Sequence, residues 1–175
     1  MIETPRLLLR RWREADLDPY AAMMADPRVA DWLGGVLTVA ESAARIERQL
    51  QSIDRDGVGR FAVERRADGA FLGHCGLMQA HPDIPFAPAM EAGWALVPGA
   101  WGQGYAAEAA RAVVEDGFAR LGLAEIVAFT TPANLRSQAV MARAGFVRDP
   151  SRDFDHPALA QDHPLRPHIV FAVRA

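Results

Sequence analysis

The chain has 175 residues, half of them hydrophobic and 23% charged, which fits a single soluble globular domain. Its net charge of −3 argues against a general nucleic-acid binder, and no run approaches the roughly 18 apolar residues of a membrane-spanning helix. A single cysteine, Cys75, rules out an intrachain disulfide and a multi-cysteine zinc site, and it suits a reducing cytoplasm.

Residues 6–12 (RLLLRRW) read as a first strand, and in the opening MIETPRLLLRRW charge surrounds a very short apolar run, unlike a signal peptide. Asp16 or Asp18 opens a helix toward Met24, with Pro19 in its first turn. Thr38 and Glu41 have capping-box spacing, and Val39, Ala43, Ile46, Leu50 and Ile53 form one helical stripe ending before Gly57. Residues 59–66 and 70–80 read as strands joined at Asp68-Gly69, a hairpin turn signal. Residues 91–97 form a further strand stopped by Pro98-Gly99, and a helix runs from about Tyr105 to Leu121 with Gly122 as its stop. Residues 125–131 are apolar and β-prone. Asn134 opens a helix closed by Gly145, and strands at Phe146 and 168–174 finish the chain. Segment 150–168 is polar and holds His156, His163 and His168, in steps that match no standard metal pattern. This order predicts one mixed α/β domain over residues 1–175, with a mostly antiparallel sheet and one embedded strand–helix–strand unit.

The junction of that unit reads Trp101-Gly102-Gln103-Gly104-Tyr105-Ala106. A helix N-terminus exposes free N–H groups and a positive dipole end, and glycines let an anion approach the backbone. The stretch is therefore either a phosphate-binding loop or a plain glycine connector. It also fits the G-x-G-x-x-[GA] dinucleotide fingerprint. Against that, the next strand ends Phe129-Thr130-Thr131 with no acid for a ribose, and four residues separate the strand from the first glycine. A P-loop is excluded, because no Gly-Lys-Ser/Thr follows and all 19 basic residues are arginine.

The same stretch resembles motif A of the GCN5-related N-acetyltransferases (GNAT), [QR]-x-x-G-x-[GA], with Trp101 replacing the usual Gln or Arg. Trp at that position is typical of the ribosomal-protein-alanine acetyltransferase-like (RimJ/RimL-like) branch. So are Thr4-Pro5-Arg6-Leu7-Leu8-Leu9-Arg10, Asn134-Leu135-Arg136-Ser137 and Gly145-Phe146, and the likeness runs from about Thr4 to Val173. The resemblance implies a sheet of about six to seven strands flanked by about four helices, splayed between its fourth and fifth strands. It also implies acetyl-CoA as cosubstrate and no metal. The pyrophosphate would lie on the backbone of Trp101, Gly102, Gln103, Gly104, Tyr105 and Ala106. Pantetheine would run along Leu96 and Val97, Asn134 would reach its amide, and Ser137 would lie near the thioester sulfur.

An alkyl amine has a pKa of about 10, so attack on a thioester at neutral pH needs a base. Glu91 is the candidate, on the strand face of Gly93 and Ala95; otherwise it is a solvated carboxylate at a strand end. Ser137 is the candidate donor to the leaving sulfur, although Ser137 and Asn134 also fit ordinary helix capping. Cys75 reads as a buried residue rather than an acyl-accepting nucleophile, with His74 on the opposite face. Glu108 reads as a dipole partner of its helix. Trp32, Phe86 and Trp94 are candidates for the acceptor pocket. The expected partners are acetyl-CoA and an amine, either a small molecule or a protein N-terminus. No nucleic acid or membrane is expected, and the state would be monomer or homodimer. A non-catalytic acyl-CoA-binding module and a nicotinamide-dependent oxidoreductase are the rival readings.

Overall fold

The computed structural model describes residues 1–175. Nine strands form the sheet: β1 (Ile2–Glu3), β2 (Leu7–Arg10), β3 (Arg60–Arg65), β4 (Phe71–Gln79), β5 (Met90–Leu96), β6 (Glu125–Thr130), β7 (Val147–Arg148), β8 (Phe154–Asp155) and β9 (Pro167–Arg174). Five helices accompany them: α1 (Leu17–Ala25), α2 (Pro27–Ala30), α3 (Val39–Asp56), α4 (Tyr105–Leu121) and α5 (Leu135–Arg143). The expected elements are all present within a residue or two. Two short strands, β1 and β8, and the one-turn α2 add to them, since two to four residues carry no periodicity to detect. β8 lies in the segment expected to be a loop. The α3 stripe is narrower than expected, because Val39 is 59% exposed and the buried positions are Ser42, Ile46 and Gln49.

The strand order is β1-β2-β3-β4-β5-β6-β9-β7, with β8 also pairing β9. Every pairing is antiparallel except β5 with β6, whose intervening α4 makes the crossover that parallel strands require. That parallel pairing has a single register pair, Glu91 with Val127. Beyond it β5 and β6 diverge, which is the expected splay.

Side-chain alternation divides the molecule into layers. One sheet face buries Leu7, Leu9, Val63, Cys75, Leu77 and Ile126 in a core with Val113 of α4 and Met141 of α5. The other face packs Ala62 and Ala95 against Trp12, Tyr20, Met24 and Ile46 of the α1–α3 layer. Farther along that second face, Val170 meets Ile84 and Phe154 in a smaller cluster. Glu91 lies on the second face, on a strand end between the helical layer and this cluster.

Candidate active site

Pro98–Ala100 makes a 3-10 turn after β5, and the Trp101 indole then donates to the Leu96 carbonyl at 2.8 Å. Trp101 therefore staples the loop to the strand it leaves. Gly102 and Gly104 have φ of 76° and 81°, a region that L side chains avoid. A Cβ on Gly102 would meet nothing within 4 Å, and one on Gly104 only an Arg6 guanidinium nitrogen at 3.5 Å, so the loop face is open. The backbone N–H groups of residues 102–107 have no acceptor within the protein; the next one, on Glu108, goes to the Gly104 carbonyl. Six successive free donors at the head of a 17-residue helix make an anion cradle. The Gln103 side chain turns away to the Gly99 carbonyl at 2.9 Å, leaving only its backbone for a ligand.

Arginines surround this cradle. Arg6 donates to the Gln103 carbonyl at 3.0 Å, and Arg136 lies 4.6 Å from the centre of the Trp101 ring. Arg28, Arg136 and Arg143 line the groove of about 520 Å³ that runs from the cradle along β5. Arg28 and Arg143 lie outside any motif, and Arg136, although inside the Asn134–Ser137 motif, was given no role by the sequence alone. Glu108 accepts from the Thr4 hydroxyl at 2.6 Å and from Arg6 N and Nε at 3.0 and 2.6 Å. It is a strap between the N-terminal strand and α4 as well as a dipole partner, which accounts for the Thr4-Pro5-Arg6 motif.

Along β5 the backbone assignment needs one correction. The Val97 N–H pairs with the Leu72 carbonyl at 2.9 Å, and the Val97 carbonyl accepts from Ala100. Val97 therefore faces β4 and the turn rather than the splay. By the antiparallel alternation, the backbone groups of Trp94 and Leu96 point toward the gap. The Leu96 carbonyl is already shared with Trp101, so Leu96 presents chiefly its N–H.

At the inner end of the groove stand Asn134 and Ser137. Asn134 Oδ1 accepts from Ser137 N at 3.1 Å, which is the capping role, and its amide NH₂ remains free to donate. The Ser137 hydroxyl has no partner among the protein's hydrogen bonds and is half-buried. A second cavity, of about 380 Å³, begins here. Trp32, Leu33, Trp94, Asn134 and Ser137 line both spaces, so the two meet at these side chains.

Glu91 lines the second cavity, its side chain 18% exposed and 2.9 Å from Arg60 Nη2. Burial pushes its carboxyl above the ordinary carboxylate value, and the Arg60 charge only partly opposes that. Gly93 makes the pairing possible. A Cβ there would fall 2.4–2.7 Å from three guanidinium atoms, so Arg60 lies flat against bare backbone. Arg60 was missed by sequence reasoning, although the glycine two residues after Glu91 was a usable signal. Of the three histidines in the 150–168 segment, His156 and His168 line this cavity and His163 does not.

Of the predicted pocket aromatics, Trp32 and Trp94 line the cavities. Phe86 does not: it packs edge-on against Phe129 and Phe154 as part of the small core. Cys75 is buried in the main core with its thiol pushed up to about 12 by burial, so it supplies no thiolate. His74 is on the other face beside Trp12 and Tyr20, with burial holding it well below the ordinary imidazole value.

Comparison with known proteins agrees with this geometry. The uncharacterized N-acetyltransferase YnaD of Bacillus subtilis is 29% identical over 149 residues, covering 85% of this chain and 83% of YnaD. An acetyltransferase of Agrobacterium tumefaciens superposes with a TM-score of 0.80 at 29% identity, covering 99% of this chain and 94% of that one. The ribosomal-protein-alanine acetyltransferase of Vibrio fischeri shares the fold, with a TM-score of 0.77 at 20% identity and coverage of 98% and 94%. Residues 6–147 match the acetyltransferase (GNAT) domain family. The free amides at the head of α4, the splay beside them and these matches make the chain a member of the GNAT acetyltransferase family.

Proposed function

We propose that residues 1–175 act as one domain that transfers an acetyl group from acetyl-CoA to a primary amine, by direct attack within a ternary complex. The observation that carries this reading is the row of six unpaired amides, residues 102–107, opening onto a groove that meets the cavity of Glu91. The amides would take the pyrophosphate, with Arg28, Arg136 and Arg143 near the remaining phosphate. Trp94 and Leu96 would offer backbone donors to the pantetheine arm and to the thioester oxygen as charge develops there. Asn134 would donate from its free NH₂.

Glu91 would take a proton from the substrate ammonium, directly or through a water, freeing the amine to attack the thioester carbonyl, its raised pKa bringing it nearer the working pH. Ser137 would supply a hydrogen bond to the departing sulfur. Cys75, buried on the far face, offers no acyl-accepting thiolate, which favours direct attack over a two-step route. The RimJ/RimL-like branch is supported by Trp101 and the Thr4-Pro5-Arg6 strap. A cytoplasmic location is supported by the lone buried cysteine; no helix is long and apolar enough to cross a membrane. Each chain carries both cavities, so monomer and homodimer serve equally.

Calorimetric titration with acetyl-CoA, beside NADH, on wild type and Gly104→Val tests the reading. Acetyl-CoA is expected to bind wild type, with affinity falling at least about tenfold in the variant, whose branched side chain enters a positive-φ position on the cradle. Absence of acetyl-CoA binding to wild type, or tighter binding of NADH, would refute it.

A further inference from the structure

The acceptor cavity holds one carboxylate, Glu91, and one cation, Arg60, already paired to each other. Its two histidines add no charge at neutral pH, since burial holds His156 and His168 below the ordinary imidazole value. His168 Nδ1 lies 3.1 Å from the Arg166 carbonyl and donates to it, while His156 Nδ1 accepts from Ala158 N at 3.3 Å. Trp32, Leu33, Leu159 and Leu165 make the apolar part of its walls, and the remaining polar groups, on Thr130, Thr131, Asn134 and Ser137, are uncharged.

The Leu159–Leu165 wall is built, not incidental. His156 N donates to the Arg166 carbonyl at 2.7 Å and the Arg166 guanidinium reaches the Leu159 carbonyl, closing residues 156–166 on themselves. Phe154, at the base, pairs into β9 and packs on Phe86 and Phe129.

An ammonium entering this cavity gives up water, and Glu91 is the group that can compensate. The amine to be acetylated uses it. A second ammonium on the same molecule would find Arg60 and two imidazoles, and no free carboxylate. A polypeptide would lay backbone amides against Leu33, Leu159 and Leu165, which offer them no hydrogen-bond partner. We infer that the acceptor is a compact primary monoamine whose single amino group is joined to an uncharged apolar body, and that the 156–166 segment enforces this choice. The inference rests on the acetyl-transfer reading.

The test measures kcat/KM with acetyl-CoA for 2-phenylethylamine, spermidine and an alanyl hexapeptide, on wild type, Leu165→Glu and Leu165→Gln. Wild type should favour phenylethylamine by about tenfold or more, the discrimination expected when one buried charge goes unpaired. Leu165→Glu, which adds a carboxylate to the wall, should shift the ratio about tenfold toward spermidine, and Leu165→Gln should not. Equal or better turnover of spermidine or the peptide by wild type overturns the inference. So does failure of phenylethylamine to react with an enzyme that binds acetyl-CoA, or a matching shift in Leu165→Gln. Loss of acetyl-CoA binding itself would instead sink the acetyl-transfer reading.

Discussion

Glu91 and Arg60 show how one missing methyl group tunes the carboxylate proposed as the base. Burial raises the Glu91 pKa and Arg60 lowers it, so the folded value sits above the ordinary one but below that of an unpaired buried acid. A base works only when deprotonated. The rate should therefore fall as pH drops through that raised value, giving an acid limb in kcat/KM. Glu91→Gln should abolish the limb and cost about a hundredfold or more in rate. Gly93→Ala pushes Arg60 away from Glu91, removes the lowering influence and should move the limb to higher pH. A pH–rate profile of the two variants checks both; an unmoved limb in both would take Glu91 out of the proton path. The position of Glu91 was legible in the sequence because strand alternation assigns its face. Its partner was not, because Arg60 and Glu91 are 31 residues apart and meet only across β4.

At the scale of elements, local signals served well where local chemistry decides. The Thr38–Glu41 capping box forms as spaced, and Asp68 makes the turn between β3 and β4 by accepting from Ala70 N at 3.2 Å. Asp16 does begin α1, but for a different reason than capping. Its carboxylate accepts from Arg10 at 2.7 and 2.8 Å and from Arg13 N at 2.7 Å, tying the end of β2 to the helix start. Both Arg10 and Asp16 are almost fully buried, at 5% and 3% exposure. Asp16→Asn would leave Glu64, which accepts from Arg10 Nε at 2.6 Å, as the one carboxylate on the guanidinium, and unfolding in denaturant should show a loss of about 2 kcal/mol. Burial alone would raise the Asp16 pKa, but the bonds from Arg10 and Arg13 outweigh it and hold it below the ordinary value. Its share of stability is thus complete above the ordinary carboxylate range and is lost as pH falls through the depressed value. The 150–168 segment was the least legible element. Its β8 is two residues long, and its order comes from Phe154 packing and the Arg166 contacts rather than from any periodicity.

For the whole molecule, the order of elements, the mostly antiparallel sheet and its one strand–helix–strand unit were legible in hydrophobic patterning, and the family likeness pointed to the splay. What patterning could not reveal is how completely the α4 cradle is left without acceptors, or that two cavities meet at Asn134 and Ser137. Those facts arise from chain segments brought together by the fold, and no single window contains them.

The lone Glu91–Val127 rung has a mechanical consequence. In backbone terms the protein is two half-sheets, β1 to β5 and β6 to β9, hinged at one end. A cosubstrate lying between them would act as a rivet, bonding to the loose edge of β5 and packing against the far half. Because it grips only the closed arrangement, it should raise the melting temperature in proportion to the logarithm of its concentration. That amounts to about 2.7 kcal/mol at a hundred times its Kd, readable by thermal denaturation. Gly104→Val should need at least about tenfold more cosubstrate for the same rise. In a cell, such a chain would be hardest to unfold when acetyl donors are plentiful, and its lifetime would track the supply of the group it carries.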